Sequence, residues 1–147
     1  MSSQEHDDGR PTIPDDHPRS QSLHYRHKLV DGMYDKVVTP SGLIAHGRGE
    51  AYDYIMGEET HPNSQRAIEA AVAAMMTAEH PVISVNGNVA ALVPKETVEL
   101  AKATGAKLEV NIFYREEGRI EAIEKTLREA GAEEILGLGD VEPESLS

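Results

Sequence analysis

The chain has 147 residues, 39% hydrophobic and 27% charged, which suits one domain with a real core and is too short for two. Its formal charge of −12 opposes a nucleic-acid-binding role, which needs clustered Lys and Arg, although a local arginine pocket can still hold a small anion. With no cysteine, the chain has no disulfide, no thiolate metal site and no cysteine nucleophile.

In chain order, residues 1–18 are polar, carry three prolines and four aspartates, and show no periodicity. This predicts a disordered acidic tail ahead of a single α/β domain over 19–147. The tail lacks the basic and apolar regions of a signal peptide, and no later apolar run approaches the ~20 residues that span a bilayer. A cytoplasmic protein without a membrane partner is therefore expected.

From Arg19 the pattern turns helical, with Leu23, Leu29, Val30 and Met33 as an imperfect apolar stripe. "VVTPSGLIAH" predicts an extended or turning connector with Pro40 and Gly42 as breakers, followed by a short helix from about Gly49 to Met56. Thr60 or His61 can cap the next helix, with Pro62 in its first turn. "SQRAIEAAVAAMMTAE" is apolar on most sides, so this helix is expected between a sheet and a second surface that a partner subunit would supply. "PVISVNG" predicts a short buried strand, Pro94 opens a helix that Gly105 ends, and "AKLEVNIFY" is a second strand. A helix over about Glu117 to Ala130 places Ile120, Ile123 and Leu127 on one face, with Glu121–Lys125 and Glu124–Arg128 pairs, and Gly131 caps it. "EEILGLG" is a third strand. Strand, helix, strand, helix, strand predicts a parallel sheet with right-handed crossovers, a βαβαβ core behind an N-terminal helical segment.

In such sheets ligands sit beyond the carboxyl ends of the strands, where this sequence places Asn86, Gly87 and Asn88, then Asn111, Tyr114 and Arg115. Asn86–Asn88 reads equally as a tight turn, and Arg115 equally as a surface partner of Glu116 or Glu117. The segment "HGRGE" is more specific. If Gly49 starts a helix, its free N–H groups favour an anion, Gly47 and Gly49 allow close backbone approach, and Arg48 supplies a planar fork for phosphate or carboxylate. His46 and Glu50 can orient that fork or act as acid and base. The segment is neither a dinucleotide fingerprint nor a P-loop, since Tyr52 replaces the third glycine and no Gly-Lys-Ser/Thr follows. A metal held by His46, Glu50 and Asp53 would need a helix through His46, which the two glycines oppose. His24 and His27, three apart, read as a surface or core pair.

The strings "HPRSQSLHYRHKLVDG", "GLIAHGRGEAYDYIMGE", "PVISVNGNVAALVP" and "KLEVNIFYR" together resemble the archaeal-type phosphopantothenate synthetases, the 4-phosphopantoate–β-alanine ligases. They stand in family order and cover nearly all of the chain from Ile13 to about Gly139. The resemblance implies a homodimer with a Rossmann-like core, acting in coenzyme A biosynthesis. Such enzymes use ATP, with Mg2+, to join 4-phosphopantoate to β-alanine through an acyl-adenylate, giving 4′-phosphopantothenate, AMP and pyrophosphate. The family's nucleotide-contacting arginines fall on Arg26 and Arg48. Strand-end position points to Asn86, Asn88 and Arg115 for the phosphopantoate side, with Asn111 beside them. Family chains continue with further strands and a late nucleotide-contacting loop, so the resemblance is to the N-terminal and central part of the family chain. The alternative is a non-catalytic or incomplete nucleotide-binding relative that dimerises without turnover.

Overall fold

The computed structural model describes residues 12–113 and 116–139. Residues 1–11 of the tail expected over 1–18, Tyr114, Arg115 and the last residues from 140 onward lie outside the described residues.

Turn hydrogen bonds from His17 N to Pro14 O (3.0 Å) and Ser20 N to His17 O (2.9 Å) lead into α1, Ser20–Tyr34. Its inward stripe begins with polar residues: Arg19, Ser22 and Arg26 precede Leu29 and Met33 at three- and four-residue steps, and Leu29 is fully buried. The helix ends at Tyr34 and Lys36 follows with φ 62°, while the amides of Val37 and Val38 both bond the Gly32 carbonyl at 2.8 and 2.9 Å. Space at Gly32 is tight. A Cβ on it would stand 3.0–3.1 Å from Val38 and Ala91.

The first correction concerns α2, which runs from Pro40 to Met56 and replaces the expected connector and short helix. Proline at the first helical position starts a helix rather than breaking it, because the missing N–H would have had no partner there. Thr39 caps it, its hydroxyl accepting from Gly42 N at 3.3 Å. Gly42, Gly47 and Gly49 each cost roughly 1 kcal/mol in helix propensity. Packing of α2 against α1 offsets that cost.

Helix α3, Pro62–Thr77, starts at His61 and Pro62 as expected. Its expected burial is not found: none of its residues is buried, and Ile68, Val72 and Met76 are 50%, 40% and 60% exposed. Within one chain α3 rests only lightly on the sheet layer, through α5 (Pro94–Thr104).

Strands β1 (Val82–Val85), β2 (Lys107–Val110) and β3 (Ile135–Leu136) form a parallel sheet in the order β1-β2-β3. Val85 is opposite Val110 and Leu108 opposite Ile135. The parallel α/β core is thus as expected, and it is Rossmann-like. As an edge strand, β1 buries only Val85. Between β1 and α5 a short helix, α4 (Gly87–Leu92), replaces the expected tight turn, because the Asn86 side chain accepts from Val89 N at 3.1 Å and caps it. Helix α6, Arg119–Glu129, returns the chain to β3. Ile123 and Leu127 are fully buried, and with Leu29 and Val85 they are the largest side chains sealed in the core. Arg128 pairs with Glu124 at 2.7 Å as expected, whereas Lys125 faces Glu129 at 3.9 Å rather than Glu121. Gly131, at φ 101°, follows the helix end.

Candidate functional site

Where α1 crosses α2, an open cleft of about 430 Å³ is lined by Gln21, Ser22 and Tyr25 from α1, His46, Gly49, Glu50 and Asp53 from α2, Glu58, Glu59 and Thr60 from the following turn, and Leu92 from α4. The carboxylate of Glu50 is the hub of its inner wall. Its Oε1 accepts from Ser22 Oγ at 3.3 Å and faces His46 Nδ1 at 3.3 Å. Its Oε2 lies 3.4 Å from Arg19 Nη2 and 3.8 Å from Arg26 Nη1. The Glu50 and His46 side chains are only 15% and 14% exposed, while the Arg26 side chain is 40% exposed. The imidazole approaches the carboxylate off the hydrogen-bond axis, so the buried Nδ1 faces a carboxylate oxygen without an aligned acceptor.

This geometry corrects the reading of "HGRGE". His46 and Glu50 do share a helix face, four residues apart, despite the glycines. Gly47, Arg48 and Gly49 lie mid-helix, where N–H groups are spent on carbonyls one turn back, so no helix-start anion site exists at Gly49. Gly47 lies beside Arg26, whose Nη1 would be in ordinary contact, at 3.6 Å, with a Cβ placed there. A Cβ on Gly49 would meet nothing within 4 Å. Arg48 is exposed and lies about 200° around α2 from Glu50, so the structure joins Arg26 to Glu50 but does not bring Arg48 to the same hub. No group of three or more His, Asp or Glu able to hold a metal occurs among the described residues.

The second group lies at the carboxyl edge of the sheet. Asn86 and Asn111 follow the paired Val85 and Val110, and Asn111 N donates to Val85 O at 2.9 Å. Both side chains are on the exposed rim. Asn88 is engaged elsewhere: its Nδ2 donates to the Gly42 carbonyl at 2.9 Å and ties α4 to the first turn of α2. Through that bond and Leu92 the sheet edge and the α1–α2 cleft are mechanically connected. Arg115 lies outside the described residues.

Three residues here escaped sequence reasoning. Arg19 and Ser22 were legible in principle, since Arg19, Ser22 and Arg26 recur at helical spacing and must share a face. Arg119 was not. It is buried at the start of α6, its Nη2 3.4 Å from the Val37 carbonyl. Burial pulls its guanidinium below the ordinary value and Glu116 opposes the shift. Only the long-range approach of Val37, Gly87 and Arg119 produces that environment.

The family model of the phosphopantothenate/pantothenate synthetases matches residues 63–146. The chain is 60% identical over 127 residues to the 4-phosphopantoate–β-alanine ligase of Thermococcus kodakarensis, covering 86% of this chain and 49% of that protein. It is 58% identical over 127 residues to the enzyme of the same name from Thermococcus onnurineus, with the same coverage. With the one from Methanosarcina mazei it shares 50% over 125 residues, 85% of this chain and 49% of the relative. The chain thus spans about half the length of the curated relatives it matches. A family match over more than half of the chain and half or more of the aligned residues identical lead to one conclusion: this chain belongs to the phosphopantothenate/pantothenate synthetase family.

Proposed function

We propose that the protein is an ATP-dependent ligase that condenses 4-phosphopantoate with β-alanine, giving 4′-phosphopantothenate, AMP and pyrophosphate in coenzyme A biosynthesis. The observation that carries this reading is 60% identity over 127 residues to a ligase named for that reaction. In the proposed sequence the 4-phosphopantoate carboxylate attacks the α-phosphate of ATP, pyrophosphate departs, and the β-alanine amine then displaces AMP from the acyl carbon. Charge builds on phosphate oxygens in the first step, so fixed cations contribute most there. Arg26, open to solvent on one side and held by Glu50 on the other, suits that task. Arg48 presents an exposed guanidinium from the outer side of α2. His46, Gly49 and Glu50 line the cleft, and Gly47 lies beside the Arg26 guanidinium. Asn86, Asn111 and Arg115 are assigned to the phosphopantoate side, with Asn88 fixing the loop between the two groups. Mg2+ would accompany ATP, bound through phosphate oxygens and water without a dedicated cage. The protein would act in the cytoplasm as a homodimer, for which the exposed apolar row of α3 offers a surface.

The test is an AMP-formation assay on the purified protein. Release of AMP that requires both 4-phosphopantoate and β-alanine is the expected result. ATP binding by calorimetry with no AMP under any substrate combination would favour a nucleotide-binding relative without turnover.

A further inference from the structure

The Glu50 carboxylate is surrounded by two guanidiniums, an imidazole and a hydroxyl at 3.3–3.8 Å. Ser22 and His46 occupy the Oε1 side and so set the orientation of the carboxylate. Oε2 is left to Arg19 and Arg26. An arginine side chain has many rotamers to lose, so an unanchored fork would lose much of its phosphate affinity to ordering. Holding Nη1 at ion-pair distance from Glu50, 3.8 Å, leaves the rest of the Arg26 fork for a ligand. Anchoring has an electrostatic cost: a lone Arg26–Glu50 pair would be neutral and would attract no phosphate. Arg19 removes that cost. Around the Glu50 carboxylate itself, two guanidiniums then share one negative charge, so pairing does not use up the charge of Arg26, even though Asp53, Glu58 and Glu59 also line the cleft.

We propose that Glu50 is a positioning residue for the Arg26 guanidinium and that Arg19 is its neutralising partner, so that nucleotide phosphates meet a fork that is both fixed and still cationic. This rests on the ATP-dependent ligase reading. Two accounts of Glu50 differ in sign. If the carboxylate only drains charge from Arg26, removing it tightens ATP binding. If it positions the fork, removing it weakens binding although the site becomes more positive.

The experiment is calorimetric ATP titration of the wild-type chain and of Glu50→Gln, Arg19→Gln, Arg19→Lys and Ser22→Ala, each checked for native thermal unfolding, with AMP-formation kinetics alongside. Glu50→Gln is expected to weaken ATP binding about tenfold and to raise the KM for ATP in parallel, leaving kcat and the KM for β-alanine nearly unchanged. Arg19→Gln should weaken binding about threefold to tenfold, and Arg19→Lys should restore most of it because the charge returns. Ser22→Ala, which alters no charge, should cost about twofold to threefold. A folded Glu50→Gln protein that binds ATP as well as or better than wild type overturns the proposal. If that variant does not fold, Arg19→Gln decides, and unchanged affinity overturns the proposal. Wild-type protein that binds no ATP overturns the ligase reading itself, and the positioning role falls with it.

Discussion

Asn88 and Gly42 form a single joint: the Asn88 amide donates to the Gly42 carbonyl at 2.9 Å, and the missing side chain of Gly42 is the space that the Asn88 carboxamide fills. This joint registers α4, at the carboxyl edge of the sheet, against the first turn of α2. The two substitutions are therefore expected to couple. Asn88→Ala should cost about 1–2 kcal/mol through the lost bond. Gly42→Ala should cost about 1–3 kcal/mol despite its better helix propensity, because the new methyl group meets the carboxamide. The double variant should be less destabilised than the sum by about 1 kcal/mol, since removing Asn88 makes room for the methyl. Urea denaturation of the four proteins measures the coupling, and strict additivity would refute it.

Two other glycines should respond in opposite senses. Gly49 lies inside α2, and a methyl group added there would have nothing within 4 Å, so Gly49→Ala should stabilise the protein by up to about 1 kcal/mol. At Gly87 a Cβ would run into the Val37 carbonyl oxygen and approach Arg119 Nη2 to 2.9 Å. Backbone cannot yield cheaply, so Gly87→Ala should cost about 3 kcal/mol or more. Thermal melts of both variants check the contrast, and a stable Gly87→Ala protein would contradict the packing.

Arg48 is exposed, so Arg48→Ala should change stability by less than about 0.5 kcal/mol. If it contacts the ATP phosphates as proposed, kcat/KM for ATP should fall about 100-fold in the AMP-formation assay. Unchanged kinetics would remove Arg48 from the site.

If the apolar row on α3 carries the proposed homodimer contact, Ile68→Glu with Val72→Glu should shift the protein from dimer to monomer in sedimentation equilibrium. Far-ultraviolet dichroism should be unchanged, because both residues are already exposed in the single chain. A dimer that survives both charges places the contact elsewhere.

Leu127 is fully buried between α6 and the sheet, and Leu127→Ala should cost about 2–5 kcal/mol, read from the urea midpoint.

Much of the fold was legible because local chemistry and global position agree. Ile123 and Leu127 repeat at helical spacing and are sealed in the core, Pro94 and Gly105 bound α5, and three short apolar runs became the three parallel strands. The site was less legible. Pro40 is a breaker inside a helix and a starter at its first residue, and only the Thr39 cap distinguishes the two. Misplacing that start hid the His46–Glu50 face. The all-round apolar character of α3 predicted burial, but burial requires a neighbour, and one chain does not provide it.

Local pattern was enough for the α/β class, the order of the strands along the chain and, through resemblance to known synthetases, the family; it also singled out Arg26 and Arg48. Those properties rest on periodicity and on residue identity, which are local. Tertiary structure alone decided that Glu50 gathers Arg19, Ser22, Arg26 and His46, that Asn88 clamps Gly42, and that Arg119 is buried beneath Gly87. Apart from the His46–Glu50 pair within α2, each of these joins residues 24 to 46 positions apart, and the energy that selects such contacts comes from packing whole elements together rather than from any segment's own preference.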